Sequence, residues 1–174
     1  MRIDVMVDDA YLSLLKEAAN FLDGQLARLE GEAKTGEDPD RFGQYDRLEY
    51  LTGLGFVACQ QYMIGAFARK KINKQTALDL GPKHRCGETF ASLVNAAANY
   101  WKHREEWGGS NGGNPRADQT TRRLRSLGLD LEQSYVIANV LYELLRPHAA
   151  RFERLISFLT RWRDDVLEKN AAKQ

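Results

Sequence analysis

Apolar residues recur every three or four positions in one segment of this chain after another, the spacing of helices buried along one face. The first stripe is Leu12, Leu15, Ala19, Leu22, Leu26 and Leu29. With Asp8 or Asp9 placed to cap it, it predicts a helix ending near Glu30. Gly31 to Gly43 mixes Gly, Pro, Asp and Lys and predicts a loop. A second long helix is predicted from about Gln44 to Lys70. Leu48, Leu51, Phe56, Cys59, Tyr62, Met63, Ala66 and Phe67 spread over a wide arc, which predicts a central helix with several packing partners. Gly53, Gly55 and Gly65 weaken that helix intrinsically, so they predict close approach of neighbouring helices.

Shorter elements follow. Thr76 to Leu80 predicts a short helix stopped by Gly81-Pro82, and Glu88 to Trp107 a longer one. Gly108 to Pro115 predicts a mobile glycine-rich loop, followed by a basic helix from about Asp118 to Ser126 that Gly128 ends. Asp130 is expected to cap a helix carrying Val136, Ile137, Val140, Leu141 and Leu144. Pro147 suits the first turn of a last helix carrying Phe152, Leu155, Ile156, Leu159, Trp162 and Val166. Met1 to Val7 alternates weakly, as an extended arm would, and Glu168 to Gln174 reads as a frayed tail. The expected fold is all-α: an antiparallel helical bundle built on two long helices, with three to five further helices, in one domain over residues 1–174.

Composition narrows the function classes. Apolar residues make up 43% and charged residues 28%, as in globular chains, and the net charge of +1 gives no bulk pull toward nucleic acid or membrane. Cys59 and Cys86 are far apart, and no Cys or His beyond Cys86 stands at metal-ligand spacing from His84, so no metal site is expected. The start of the chain lacks the apolar core of a signal peptide, and no uncharged run has membrane-spanning length. A cytoplasmic protein with no membrane association and no cofactor is expected.

Chemistry-bearing residues concentrate in Asn99-Tyr100-Trp101-Lys102-His103-Arg104-Glu105-Glu106-Trp107. At about 100° per residue, Phe90, Leu93, Val94, Ala97, Tyr100 and Trp101 share the face that must be buried. Asn95, Asn99, Lys102, His103 and Glu106 fall on the other. Asn95, Asn99 and His103 are spaced i, i+4, so their side chains form a ladder. Such a row is an ordinary solvated face, with His103 favoured by the helix dipole. Two asparagines are nevertheless poor choices for a helix interior, and hydrogen-bonding side chains ending in a histidine can position a general acid or base.

The all-helical pattern, the chain length, the two long initial helices and this late-helix histidine resemble the HEPN domains, helical proteins common in prokaryotic toxin–antitoxin and phage-defence systems. Many of these are metal-independent ribonucleases. Their motif is an arginine, usually followed by a polar residue such as asparagine, then a histidine four to six residues after the arginine. Asn99 and His103 match the polar residue and the histidine. Ala98 stands where the arginine would, and no arginine lies four to six residues before His103. The resemblance implies RNA cleavage with His103 as acid or base, Lys102 or Arg104 holding the phosphate, and Asn99 orienting the histidine or the RNA. It also implies a homodimer with two copies of His103 near one groove.

Arg122, Arg123 and Arg125 on the basic helix, with Arg116 before it, are candidate contacts to an RNA backbone. So is the basic stretch of Lys70, Lys71, Lys74, Lys83, His84 and Arg85. Solvated, locally compensated faces are the ordinary alternative for both. Two function classes stand open. One is an RNA-cleaving toxin or defence effector; the other is a non-catalytic helical interaction or accessory protein that binds an antitoxin or effector partner.

Overall fold

A wide apolar arc needs neighbours on several sides, and the second long helix has them. The computed structural model describes residues 2–35, 38, 40, 42–69, 72–107 and 114–171, apart from the side chains of residues 2–9, 68 and 69. These residues form α1 (Arg2–Thr35), α2 (Gln44–Arg69), α3 (Lys74–Leu78), α4 (Phe90–His103), α5 (Pro115–Arg125), α6 (Val136–Leu145) and α7 (Phe152–Ala171), and no strand. The protein is an all-helical bundle. α2 packs against α1, α4, α6 and α7, and α5 is joined to the bundle through α4. The core is filled by Phe56 and Met63 of α2, Leu93 and Val94 of α4, Ile137 and Val140 of α6, and Phe152, Leu155, Leu159 and Trp162 of α7, each no more than 1% exposed.

Two of the three α2 glycines do what their cost in helix propensity implies. A Cβ on Gly53 would stand 2.1 Å from the Trp101 indole of α4, and one on Gly55 would stand 2.2 Å from the Phe152 ring of α7. Hydrogen in place of a methyl group is what lets both aromatic side chains lie against the α2 backbone. Gly65 differs: a Cβ there would meet nothing within 4 Å, so it serves no close approach.

Remote carboxylates hold the starts of the last two helices. Glu49 of α2 accepts from the backbone nitrogens of Ile137 at 3.0 Å and Ala138 at 2.8 Å, capping α6. Tyr135, at the N-cap position of α6, makes no capping bond of its own. Asp130 is therefore not the cap; it accepts from Glu132 N at 3.0 Å in the preceding turn. Asp23 of α1 likewise accepts from Phe152 N at 2.7 Å and Glu153 N at 2.9 Å, so α7 begins at Phe152 and Pro147 lies in the connection before it. Both helices start where a tertiary partner satisfies their free N–H groups rather than where the local sequence signals a start.

Other boundaries move as well. α3 runs Lys74–Leu78 rather than Thr76 to Leu80, α4 runs Phe90–His103 rather than Glu88 to Trp107, and α5 starts at Pro115 rather than near Asp118. Asp8 and Asp9 lie inside α1 rather than capping it. α1 begins at Arg2, so the expected arm over Met1 to Val7 is helical from Arg2 onward. An extended arm without a partner strand leaves its backbone groups unpaired, whereas a continued helix pairs them within itself. α1 also runs on to Thr35 through Glu32, Ala33 and Lys34, all good helix formers save the last threonine. α7 continues to Ala171, so the expected frayed tail over Glu168 to Gln174 is helical as far as Ala171, and residues 172–174 lie outside the described residues. Residues 108–113 of the glycine-rich loop lie outside them too. Asn114 accepts from Arg116 N and Ala117 N and caps α5, with Pro115 in its first turn.

Candidate functional site

The chemistry of α4 sits on its second half. Its start is fixed by Thr89, whose Oγ1 accepts from Ser92 N at 3.0 Å and donates to the Leu78 carbonyl at the end of α3. Phe90 to Ala98 are all buried, against α2 on one side and α5 on another. Asn95 is thus not on a solvated face: it is 6% exposed, and Asn99 is half-buried one turn later.

Gln60 of α2 ties the ladder together. Its Nε2 donates to Asn95 Oδ1 at 3.0 Å and to Asn99 Oδ1 at 2.9 Å, while its Oε1 accepts from Lys102 Nζ at 2.7 Å. Gln60 is itself only 2% exposed. Lys102, expected to hold a phosphate, therefore spends a donor on an internal amide. Sequence reasoning missed Gln60. Its signal was a glutamine amid Phe56, Cys59 and Met63 on the apolar arc of α2, where a buried amide must find partners.

His103, in the last turn of α4, is partly exposed. Its Nδ1 lies 3.0 Å from Glu106 Oε2, and its ring lies over Trp107 with centroids 6.3 Å apart and planes 27° apart. Trp107 packs edge-on against Tyr100 at 6.1 Å. The carboxylate on Nδ1 fixes the ring and leaves Nε2 as the nitrogen free for proton transfer.

These side chains border a cavity of about 560 Å³ lined by Lys74, Asn99, His103, Glu106, Trp107 and Arg116, among others. A second cavity of about 350 Å³ shares Lys74, Asn99, Arg116 and Thr120 with it and adds Asn95 and Arg123, among others. Helices α3, α4 and α5 therefore bring the cations of separate sequence segments to one cleft. Their mutual repulsion shows on Lys74. Burial first, then the charges of Lys102, Arg116 and Arg123, lower its pKa from 10.5. A cleft that destabilises its own ammonium is one in which an anion would be welcome.

The other expected residues divide. Arg123 lines the smaller cavity and its Nε lies 3.5 Å from Glu88 Oε2. Arg122 and Arg125 are exposed and border neither cavity. Arg104 lies elsewhere: Nη1 is 3.4 Å from Glu49 Oε1 and Nε is 3.2 Å from Glu105 Oε1. Lys74 and Arg116, legible only as members of basic stretches, are the cations that share the cavity with His103. Among the described residues no three or more His, Cys, Asp or Glu converge as a metal site, and no helix is long and apolar enough to cross a membrane.

Comparison with protein-family models, with curated proteins and with solved structures finds no match to the chain. The functional reading rests on the geometry of the cleft.

Proposed function

We propose that this protein is a HEPN-like, metal-independent endoribonuclease of a prokaryotic toxin–antitoxin or phage-defence system. The observation that carries the reading is one cavity lined at once by His103, Asn99, Lys74 and Arg116. An RNA phosphate placed there has cations for its oxygens and an imidazole for its proton chemistry.

In the proposed reaction His103 Nε2 removes the proton of a ribose 2′-hydroxyl. The oxygen attacks the adjacent phosphorus and the bond to the 5′-oxygen breaks. The products are a 2′,3′-cyclic phosphate and a 5′-hydroxyl, whose proton comes from a second acid. In a twofold homodimer that acid is the other copy of His103. Glu106 orients the ring, Asn99 helps to orient the RNA, and Lys74 and Arg116 stabilise the charge that builds on phosphate. Lys102 holds Gln60 rather than substrate, and Arg104 takes no part.

The test incubates purified protein with total RNA and with DNA, in chelator, beside His103→Ala. Wild type should cleave RNA to cyclic-phosphate ends, leave DNA intact and ignore the chelator. His103→Ala should lose about two to four orders of magnitude in rate, the usual contribution of general acid–base catalysis. Equal RNA loss with both proteins would discard the proposal.

The second reading, a non-catalytic accessory protein bound to an antitoxin or effector, is favoured by a different observation. Tyr11, Leu14 and Phe21 stand 45%, 60% and 63% exposed along α1, more apolar surface than one helix needs to show water. Wild-type protein that leaves RNA intact would place this reading first.

A further inference from the structure

We propose that the smaller cavity, between α3, α4 and α5, is a phosphate-binding chamber whose preference for anions is set by the direction of the hydrogen-bond chain from Lys102 through Gln60 to Asn95 and Asn99. The inference concerns binding and does not depend on cleavage at His103.

An ammonium group only donates. Lys102 Nζ lies 2.7 Å from Gln60 Oε1, so that end of the amide is fixed as the oxygen. The Nε2 end must then face the asparagines, and it reaches Asn95 Oδ1 and Asn99 Oδ1 at 3.0 and 2.9 Å. The two ends of an amide are nearly alike in shape, and ordinarily either orientation packs. Here the lysine at the head of the chain leaves one solution. Each asparagine gives its carbonyl oxygen to Gln60, and the polar atom it retains is Nδ2, a donor. Both asparagines line the chamber, and Asn95 is 6% exposed, so this wall offers N–H groups from a nearly buried side chain.

The remaining charge agrees. Lys74 from α3 and Arg116 and Arg123 from α5 line the same chamber, and none of its described lining residues is a carboxylate. Cations on one side and amide donors on another suit a tetrahedral oxyanion with more than one negative oxygen. At about 350 Å³ the chamber is far larger than phosphate alone, so the group it is built for comes attached to something bulkier. Phosphate on a nucleotide has that chemistry, either as a terminal monoester or as a backbone diester. The crowding that lowers the Lys74 pKa is relieved when such an anion binds.

The probe is inorganic phosphate titrated into the full-length ¹⁵N-labelled protein, with the Asn95 and Asn99 side-chain amide resonances followed and chloride at equal ionic strength as the control. Phosphate should shift both amides saturably, with Kd on the order of 1 mM or tighter, and chloride should not. Asn95→Asp puts an acceptor on the wall, and Lys74→Met removes a cation. Each should weaken binding about tenfold. Lys102→Met alters an exposed side chain and leaves the core untouched. It frees Gln60 to turn over and should also weaken binding several-fold, which keeps the test intact where Asn95→Asp fails to fold.

Unsaturable shifts, equal shifts with chloride, or wild-type affinity in folded Asn95→Asp or Lys102→Met would each overturn the chamber. Parallel titrations with a nucleoside monophosphate and with a dinucleotide carrying only an internal phosphodiester choose between the two sources, and a preference for either supports the site. RNA cleavage without phosphate binding overturns the chamber and keeps the ribonuclease. Phosphate binding in a protein that spares RNA does the reverse.

Discussion

Arg104 Nη1 lies 3.4 Å from Glu49 Oε1, and neither residue lines the cavity that holds His103. The arginine nearest in sequence to the histidine belongs to the cap of α6. Arg104→Ala should therefore lower stability by no more than about 1 kcal/mol, because that side chain is 37% exposed and its pairing is screened. It should leave any RNA cleavage unchanged. Glu49→Ala should cost more, about 2–4 kcal/mol, since it strips two helix-starting N–H groups of a buried carboxylate partner. Urea unfolding of both variants checks the order, and a larger loss for Arg104→Ala would refute it.

The α2 glycines should respond with opposite signs to the same change. Gly53→Ala and Gly55→Ala force a methyl group to 2.1 Å from Trp101 and 2.2 Å from Phe152, so each should destabilise by about 1–3 kcal/mol through overpacking. Gly65→Ala meets open space and should stabilise by roughly 0.5–1 kcal/mol, the gain from replacing glycine inside a helix. Thermal melts of the three variants decide it.

Lys74 makes a pH-dependent contribution. Its pKa is lowered from 10.5 by burial and by the charges of Lys102, Arg116 and Arg123. A lowered ammonium pKa means that the folded chain holds fewer protons than the unfolded chain between the two values, so stability rises with pH through that window. The penalty is fully present at neutral pH. Lys74→Met should be more stable than wild type there, and the advantage should shrink as pH climbs toward 10.5. An advantage independent of pH would mean that charge is not the cause.

The thiols should separate cleanly. Cys59 is 1% exposed, and burial, with the nearby Asp23 charge adding to it, pushes its pKa up to about 12. Cys86 is only partly buried. A thiol-alkylating reagent should modify Cys86 in the native protein and reach Cys59 only after unfolding, because the thiolate is the reactive form. Mass spectrometry of native and denatured samples reads the difference, and prompt native labelling of Cys59 would refute it.

The helices were legible because their apolar stripes are long and regular, and the width of the Leu48-to-Phe67 arc marked α2 as the centre. Helix starts were less so: Asp23 and Glu49 cap α7 and α6 from far along the chain, and nothing local to Phe152 or Val136 announces them. Asn99 and His103 could be singled out from spacing alone. The direction of the ladder could not, because the face opposite Phe90 and Leu93 is solvated only if no helix covers it, and α5 does. Gln60 stood out on the apolar arc of α2, but its partners did not, because α4 contributes them 35 and 39 residues later. Of the arginines on the basic helix, only the register of α5 against α4 selects Arg116 and Arg123 over Arg122 and Arg125.

The bond from Asp23 to Phe152 spans 129 residues, and it bears on how the chain is made. On a ribosome the first two helices emerge early, yet the slot at Gly55 has no ring to receive and Asp23 no amide to hold until α7 has left the exit tunnel. Until then a long apolar flank of α2 stays uncovered, open to a chaperone or to another nascent copy. The order of synthesis thus leaves the closing contact waiting: α7 seals a groove that α1 and α2 carry half-open until it emerges.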